Sequence, residues 1–131
     1  MREILFRAKL MFNREIWVYG DFTTAVGYFP KIISHDNGEM CEVILETVGQ
    51  YTGLTDKNGK KIFEGDICEV TVFTCEGEDR HYLCEVCFEY SSFIFRDLKR
   101  SGLEILFSDI YDFKTDVEVI GNIYDNPELE V

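Results

Sequence analysis

Four kinds of residue in this chain could carry chemistry: cysteines, histidines, a run of glycines, and polar side chains on an otherwise apolar strand face. Cys84-Glu85-Val86-Cys87 has the CxxC spacing. A zinc knuckle or a redox pair needs both sulfurs on one side of a turn. The stretch His81–Tyr90 alternates instead like a strand, and residues three apart on a strand point to opposite faces. Cys84 then joins Val86 and Phe88, while Cys87 joins His81 and Glu85. A metal would require Cys75, His81 and Cys87 to converge, and no second CxxC completes a four-ligand set. The sequence therefore leads us to expect no metal and no cofactor.

The histidines and glycines point the same way. His35 falls in a predicted turn and His81 at a strand start, so both are expected at the surface. Neither has the spacing of a base with its nucleophile. Gly49, Gly53, Gly59 and Gly65 lack the GK[ST] ending and following helix of a phosphate-binding loop, and do not match GxGxxG. Turn and bulge duty explains them. With 25 acidic residues, any carboxylate spacing can be found, so no acid–base dyad is singled out and no catalytic residue is assigned.

Gln50 and Thr52 stand out more. They share a predicted strand face with Val48 and Leu54, and polar groups on such a face must be hydrogen-bonded or meet a partner. With Asp66 and Asn122 they form the candidate ligand- or partner-binding set. Asp66 also suits accepting a neighbouring backbone N–H at a strand start, as aspartate does in Asx-type turns. Trp17 and Tyr19, near Phe22, are candidate interface aromatics. Base stacking is disfavoured there, because stacking sites sit beside positive charge, which only the N-terminal arginines could supply.

The elements that must position these residues have a period of two. Ile4, Phe6, Ala8 and Leu10 alternate with Glu3, Leu5, Arg7 and Lys9, which describes a strand with one buried face. "EIWVYGDF" reads as a second strand, with a turn at "MFNRE" in which Asn13 best tolerates positive φ. Pro30 limits pairing in the next stretch, and "HDNGE" is a turn. Asn58-Gly59 signals a hairpin with a type I′ turn, its arms Val48–Leu54 and Lys61–Phe63. Glu64-Gly65 turns the chain into Ile67–Phe73, and His81–Tyr90 follows. Ser91-Ser92 turns it into "FIFRDL", and "KRSG" leads into "LEILF". "SDIYDF" suggests a helical turn with Ser108 as N-cap, "DVEVIGNIY" is a last strand, and Pro127 suits a first helical position. The fold class is thus mainly β, with short antiparallel strands and little helix. We expect a β-rich portion over 1–62 and a small SH3-like barrel over 63–131.

Bulk composition bounds the function. The chain has 131 residues, 46% of them hydrophobic and 15% aromatic, enough for a core without disulfides or metal. No apolar run approaches a membrane span, and "MREILFRAKLMFN" lacks a signal-peptide core, so a cytoplasmic location is expected. Five cysteines, an odd count, argue against a disulfide framework. The net charge of −12 disfavours direct binding to nucleic-acid phosphates.

Three blocks carry a resemblance. "MREILFRA" at the start, "VGQYTGLTDKNGKKIFEGDI" over Val48–Ile67 and "VIGNIYDNPEL" over Val119–Leu129 resemble, in that order, the signatures of the YopX-like phage and prophage proteins. The resemblance implies a small mainly-β protein of phage or prophage origin in a bacterial host, and association of its subunits. It brings no reaction or catalytic residue with it. The expected function is a non-enzymatic accessory protein, a homo-oligomeric module that binds a host or phage protein. The alternatives are an acidic DNA mimic that occupies a host nucleic-acid-binding cleft, and a small-ligand binder using Gln50, Thr52 and Asp66.

Overall fold

Alternating apolar and polar residues become strands along most of the chain. The computed structural model describes residues 2–24, 27, 29–99, 104–107 and 115–130. The helical turn expected at "SDIYDF" lies outside them. The strands are β1 (Phe6–Lys9), β2 (Trp17–Thr23), β3 (Lys31–Ser34), β4 (Met40–Glu42), β5 (Gly49–Thr55), β6 (Lys61–Phe63), β7 (Asp66–Phe73), β8 (Asp79–Glu89), β9 (Ser92–Asp97), β10 (Glu104–Leu106) and β11 (Thr115–Asn122). Short 3-10 turns occupy Leu45–Thr47 and Pro127–Glu130, the second opening on proline as expected. The chain divides into two compact units, Met1–Gly53 and Leu54–Val131.

In the first unit the strand order is β4-β3-β2-β1-β5, all antiparallel. Its core is Ala8, Ile32 and Val43, with Phe6, Val18, Phe22 and Val48 packed against them. β2 runs to Thr23 through Gly20. Only glycine fits there, since a Cβ would lie 1.9 Å from the Ile33 carbonyl oxygen of β3. The opposite face departs from the simple alternation. Arg7 and Lys9 are polar by pattern, yet only 5% and 9% exposed. Their cationic heads lie 4.6 and 5.5 Å from the Trp17 ring, a cation–π arrangement that offsets part of the desolvation cost. Asn13 does not adopt positive φ; it shapes its turn by accepting the Glu15 N–H on Oδ1 at 3.1 Å.

β5 ends in a hairpin with β6, and the five-stranded sheet of the second unit has the order β10-β9-β8-β7-β11. Cys68, Val70, Cys84, Val86, Phe95 and Val117 line one face and bury Ile62 among them. Truncating such a side chain, as in Phe95→Ala, costs about 3–5 kcal/mol. The order is that of an open sheet: among the described residues β10 and β11 are its edges, and no pairing joins them. The SH3-like closure expected from sequence is not seen.

The hairpin turn also differs in type. At Asn58-Gly59 only Gly59 has positive φ (82°), so this is not a type I′ turn. Gly59 N–H donates to the Asp56 carbonyl at 3.0 Å and Asp56 N–H to the Lys60 carbonyl at 2.7 Å. That is the longer loop built on a type I turn with a left-handed glycine after it. Asp56 selects it: its Oδ1 accepts the N–H groups of Asn58 and Lys60, each at 2.9 Å.

Candidate functional site: the two ends of β8

β8 is the longest strand and carries a distinct surface at each end. At its C-terminal end aromatic rings run from the core to solvent. Phe95 is buried and stacks on Phe107, with centroids 4.3 Å apart and planes 9° apart. Phe107 lies 6.0 Å from Phe93, and Phe93 meets Phe88, its cross-strand partner, edge-on at 5.0 Å. Phe88 is 51% exposed, and Tyr90 beyond it 82% exposed. Rings in tilted and edge-to-face contact at these distances gain about 0.5–1.5 kcal/mol per pair beyond burial. The row ends at Phe88, two residues before Tyr90 at the tip of the hairpin.

That tip is a two-residue hairpin loop. Glu89 pairs with Ser92, and both residues between them have positive φ, 54° at Tyr90 and 64° at Ser91. This is the type I′ geometry, which favours Asn-Gly. A tyrosine in the left-handed region places its Cβ too near the following carbonyl, costing about 1–2 kcal/mol. The sequence reading missed this site and set the turn one residue later, at Ser91-Ser92. Glycine or asparagine is the usual signal, and "EYSS" has neither.

Beside the tip is a cavity of about 260 Å³, lined among others by Glu64, Glu85, Cys87, Phe88, Arg96 and Tyr124. Burial raises the Glu85 pKa, and the nearby Glu130 and Glu64 add to it against the Cys87 hydrogen bond and Arg96. Arg96 pairs with Glu89 and, at 3.1 Å, with Glu104. Cys87 faces this cavity while Cys84 is buried in the core. The CxxC sulfurs thus diverge as strand alternation requires. Burial pushes the Cys84 and Cys87 thiols up to about 12 and that of Cys68 higher still. None of the three is a thiolate nucleophile at neutral pH.

The N-terminal end of β8 is polar. Glu69, Arg80, His81, Tyr82, Asp97 and Lys99 line a cavity of about 800 Å³. His81 Nδ1 lies 3.1 Å from Thr71 Oγ1 and 3.9 Å from a Glu69 oxygen. A hydroxyl, an imidazole and a carboxylate are therefore close together. A nucleophile–base–orienter triad needs hydroxyl and carboxylate on opposite ring nitrogens; here both meet the same one. His35 is an exposed partner of Asp21, with Nε2 and Oδ1 2.9 Å apart. Among the described residues, no group of three or more His, Cys, Asp or Glu is arranged to hold a metal ion.

The residues singled out from sequence fall as follows. Asp66 and Asn122 are brought together as register partners of β7 and β11. Asp66 is fully buried and accepts the Phe63 N–H on Oδ2 at 2.7 Å. Asn122 Oδ1 accepts the N–H groups of Tyr124 and Asp125 at 3.0 and 2.9 Å, and its Nδ2 donates to Asp125 at 3.1 Å. These bonds launch one strand and end another. Gln50 and Thr52 belong to the first unit, both half-buried, with Gln50 opposite Phe6. Trp17 is half-buried beside Arg7 and Lys9, and Tyr19 is exposed on the same strand.

Two open antiparallel sheets of short strands, with hairpins that cap themselves, define a class of small mainly-β proteins. Residues 6–129 match the family described as YopX protein, and the chain belongs to that family. No curated protein matches the chain. A solved structure, that of protein EF1440 from Enterococcus faecalis, is 23% identical with a TM-score of 0.57, and the match covers all of both chains. It shares the fold. No helix among the described residues is long and apolar enough to cross a membrane.

Proposed function

We propose that this chain is a non-enzymatic phage or prophage accessory protein of the bacterial cytoplasm. In this reading it works as a homo-oligomeric protein-binding module whose contact is the aromatic tip of β8 and β9. One observation carries the proposal: Tyr90, 82% exposed, occupies a left-handed position that disfavours it. Backbone strain of this kind persists where function retains it. The tip offers an interface what an energetic anchor needs: an exposed tyrosine, with phenylalanine two residues before it. The acidic surface, net −12, favours orientation and on-rate more than affinity.

The test is light scattering coupled to size exclusion, on the wild type and on the double variant Phe88→Ser with Tyr90→Ser. The expected result is an assembly in the wild type and a 15.3 kDa chain in the variant, with unchanged circular dichroism. An unchanged assembly in the variant would contradict the proposal.

A further inference from the structure

The polar end of β8 has an unfinished edge. β7 pairs with β8 from Asp79 to Glu85, but β9 pairs only with Cys84–Glu89. The neighbouring lane ends at Leu98, whose N–H donates to the Leu83 carbonyl at 2.9 Å. Asp97 then turns the chain away, its Oδ1 accepting the Lys99 N–H at 3.1 Å. Peptide groups alternate in direction along a strand. Those of His81 and Asp79 therefore face the same side as the Leu83 carbonyl. Among the described residues no strand pairs with that side before Leu83.

Two further features meet at this edge. One is the cavity of about 800 Å³ described above. The other is Asp97 itself, 7% exposed. Among the described residues no hydrogen bond reaches its second carboxylate oxygen. Asp97 lines that cavity, so a donor entering it can reach the carboxylate.

We propose that the edge from Asp79 to Tyr82 is completed by the extended N-terminal segment of another polypeptide. The segment adds antiparallel to β8, in the lane that β9 leaves. It pairs its backbone with the peptide groups of His81 and Asp79, which have no partner on that side among the described residues, as in strand addition. Leu98 already fills the lane beside Leu83, so a segment running this way must begin there. Its first group is then the α-ammonium, and it meets the open oxygen of Asp97. Arg80 and Lys99 favour an acidic side chain within the first few residues. This site lies at the opposite end of β8 from Tyr90, so failure of either proposal leaves the other standing.

The probe is the hexapeptide Thr-Val-Glu-Val-Thr-Val with a free amine and a C-terminal fluorophore, followed by fluorescence polarisation on the full chain. We expect saturable binding below millimolar peptide. N-terminal acetylation should weaken it about tenfold, the loss of one charge-assisted hydrogen bond, and Asp97→Asn should do the same. His81→Pro removes an edge N–H that has no partner among the described residues, and proline is tolerated at sheet edges; it should abolish binding with little change in Tm. Should that variant not fold, N-methylation of the peptide backbone tests the same bonds from the ligand side and should also abolish binding. No binding at millimolar peptide, equal affinity for acetylated and free peptide, or binding that survives both His81→Pro and N-methylation would overturn the proposal.

Discussion

Val119 donates its backbone N–H to Asp56 Oδ2 at 3.0 Å, across 63 positions of sequence. This bond joins the central signature block to the C-terminal one. It is one of several: Lys57 N–H donates to the Val117 carbonyl and Ile123 N–H to that of Gly65, each at 2.9 Å, and Asp66 pairs in register with Asn122. The two blocks hold one another. Their recognisable residues serve backbone hydrogen bonds and turn geometry, which leaves the stretch between them, β8 and β9, to present a surface.

Asp56 should be a keystone of the second unit. Burial opposes its ionisation, yet the backbone N–H groups of Val119, Lys60 and Asn58 outweigh that and hold its pKa below the ordinary value. A depressed folded pKa means that the stabilisation is complete above the unfolded value, about 3.9, and is lost as pH falls through the folded one. Asp56→Ala should cost about 2–3 kcal/mol at neutral pH, and Asp56→Asn less, since Oδ1 keeps its two donors. Urea melts at pH 7 and pH 3 check this: the gap between wild type and Asp56→Ala should narrow at the lower pH. An equal gap at both would contradict the assignment.

The strained turn makes an opposite prediction. Replacing Tyr90 by Asn and Ser91 by Gly supplies the residues that a type I′ turn prefers. The double variant should be more stable by about 1–2 kcal/mol, read as a higher urea midpoint at unchanged slope. The comparison holds at protein concentrations where the wild type is a single chain, since assembly itself adds stability; a lower midpoint there would mean that Tyr90 contributes to the fold rather than to a surface.

Thiol reactivity should follow burial. Cys75 is exposed, whereas Cys68 and Cys84 are buried opposite one another in register. With a thiol pKa near 12 for Cys84 and a higher one for Cys68, both are protonated at pH 8. Ellman's reagent should modify Cys75 first and reach Cys68 and Cys84 only on unfolding. Rapid native labelling of either would show that this core opens readily.

Much of this architecture was legible because it rests on local chemistry. Alternation sent Cys84 and Cys87 to opposite faces, and Asp66 read as a device for starting a strand. What stayed hidden depends on tertiary partners. Arg7 and Lys9 look like a solvent face until Trp17 is placed beside them. Asn58-Gly59 marks a turn, but its type is decided by the Asp56 carboxylate. The aromatic tip gave no signal because its turn uses residues that turn preference disfavours, and the edge of β8 that is open among the described residues arises because β9 stops at Asp97.

The central claim is that Tyr90 is kept for contact at the expense of stability. Native mass spectrometry of the wild type and the Tyr90→Asn, Ser91→Gly variant, at matched concentration under reducing conditions, tests it most directly. The account predicts a clean multiple of 15.3 kDa for the wild type and a single chain for the variant. The same assembly in both proteins would contradict it.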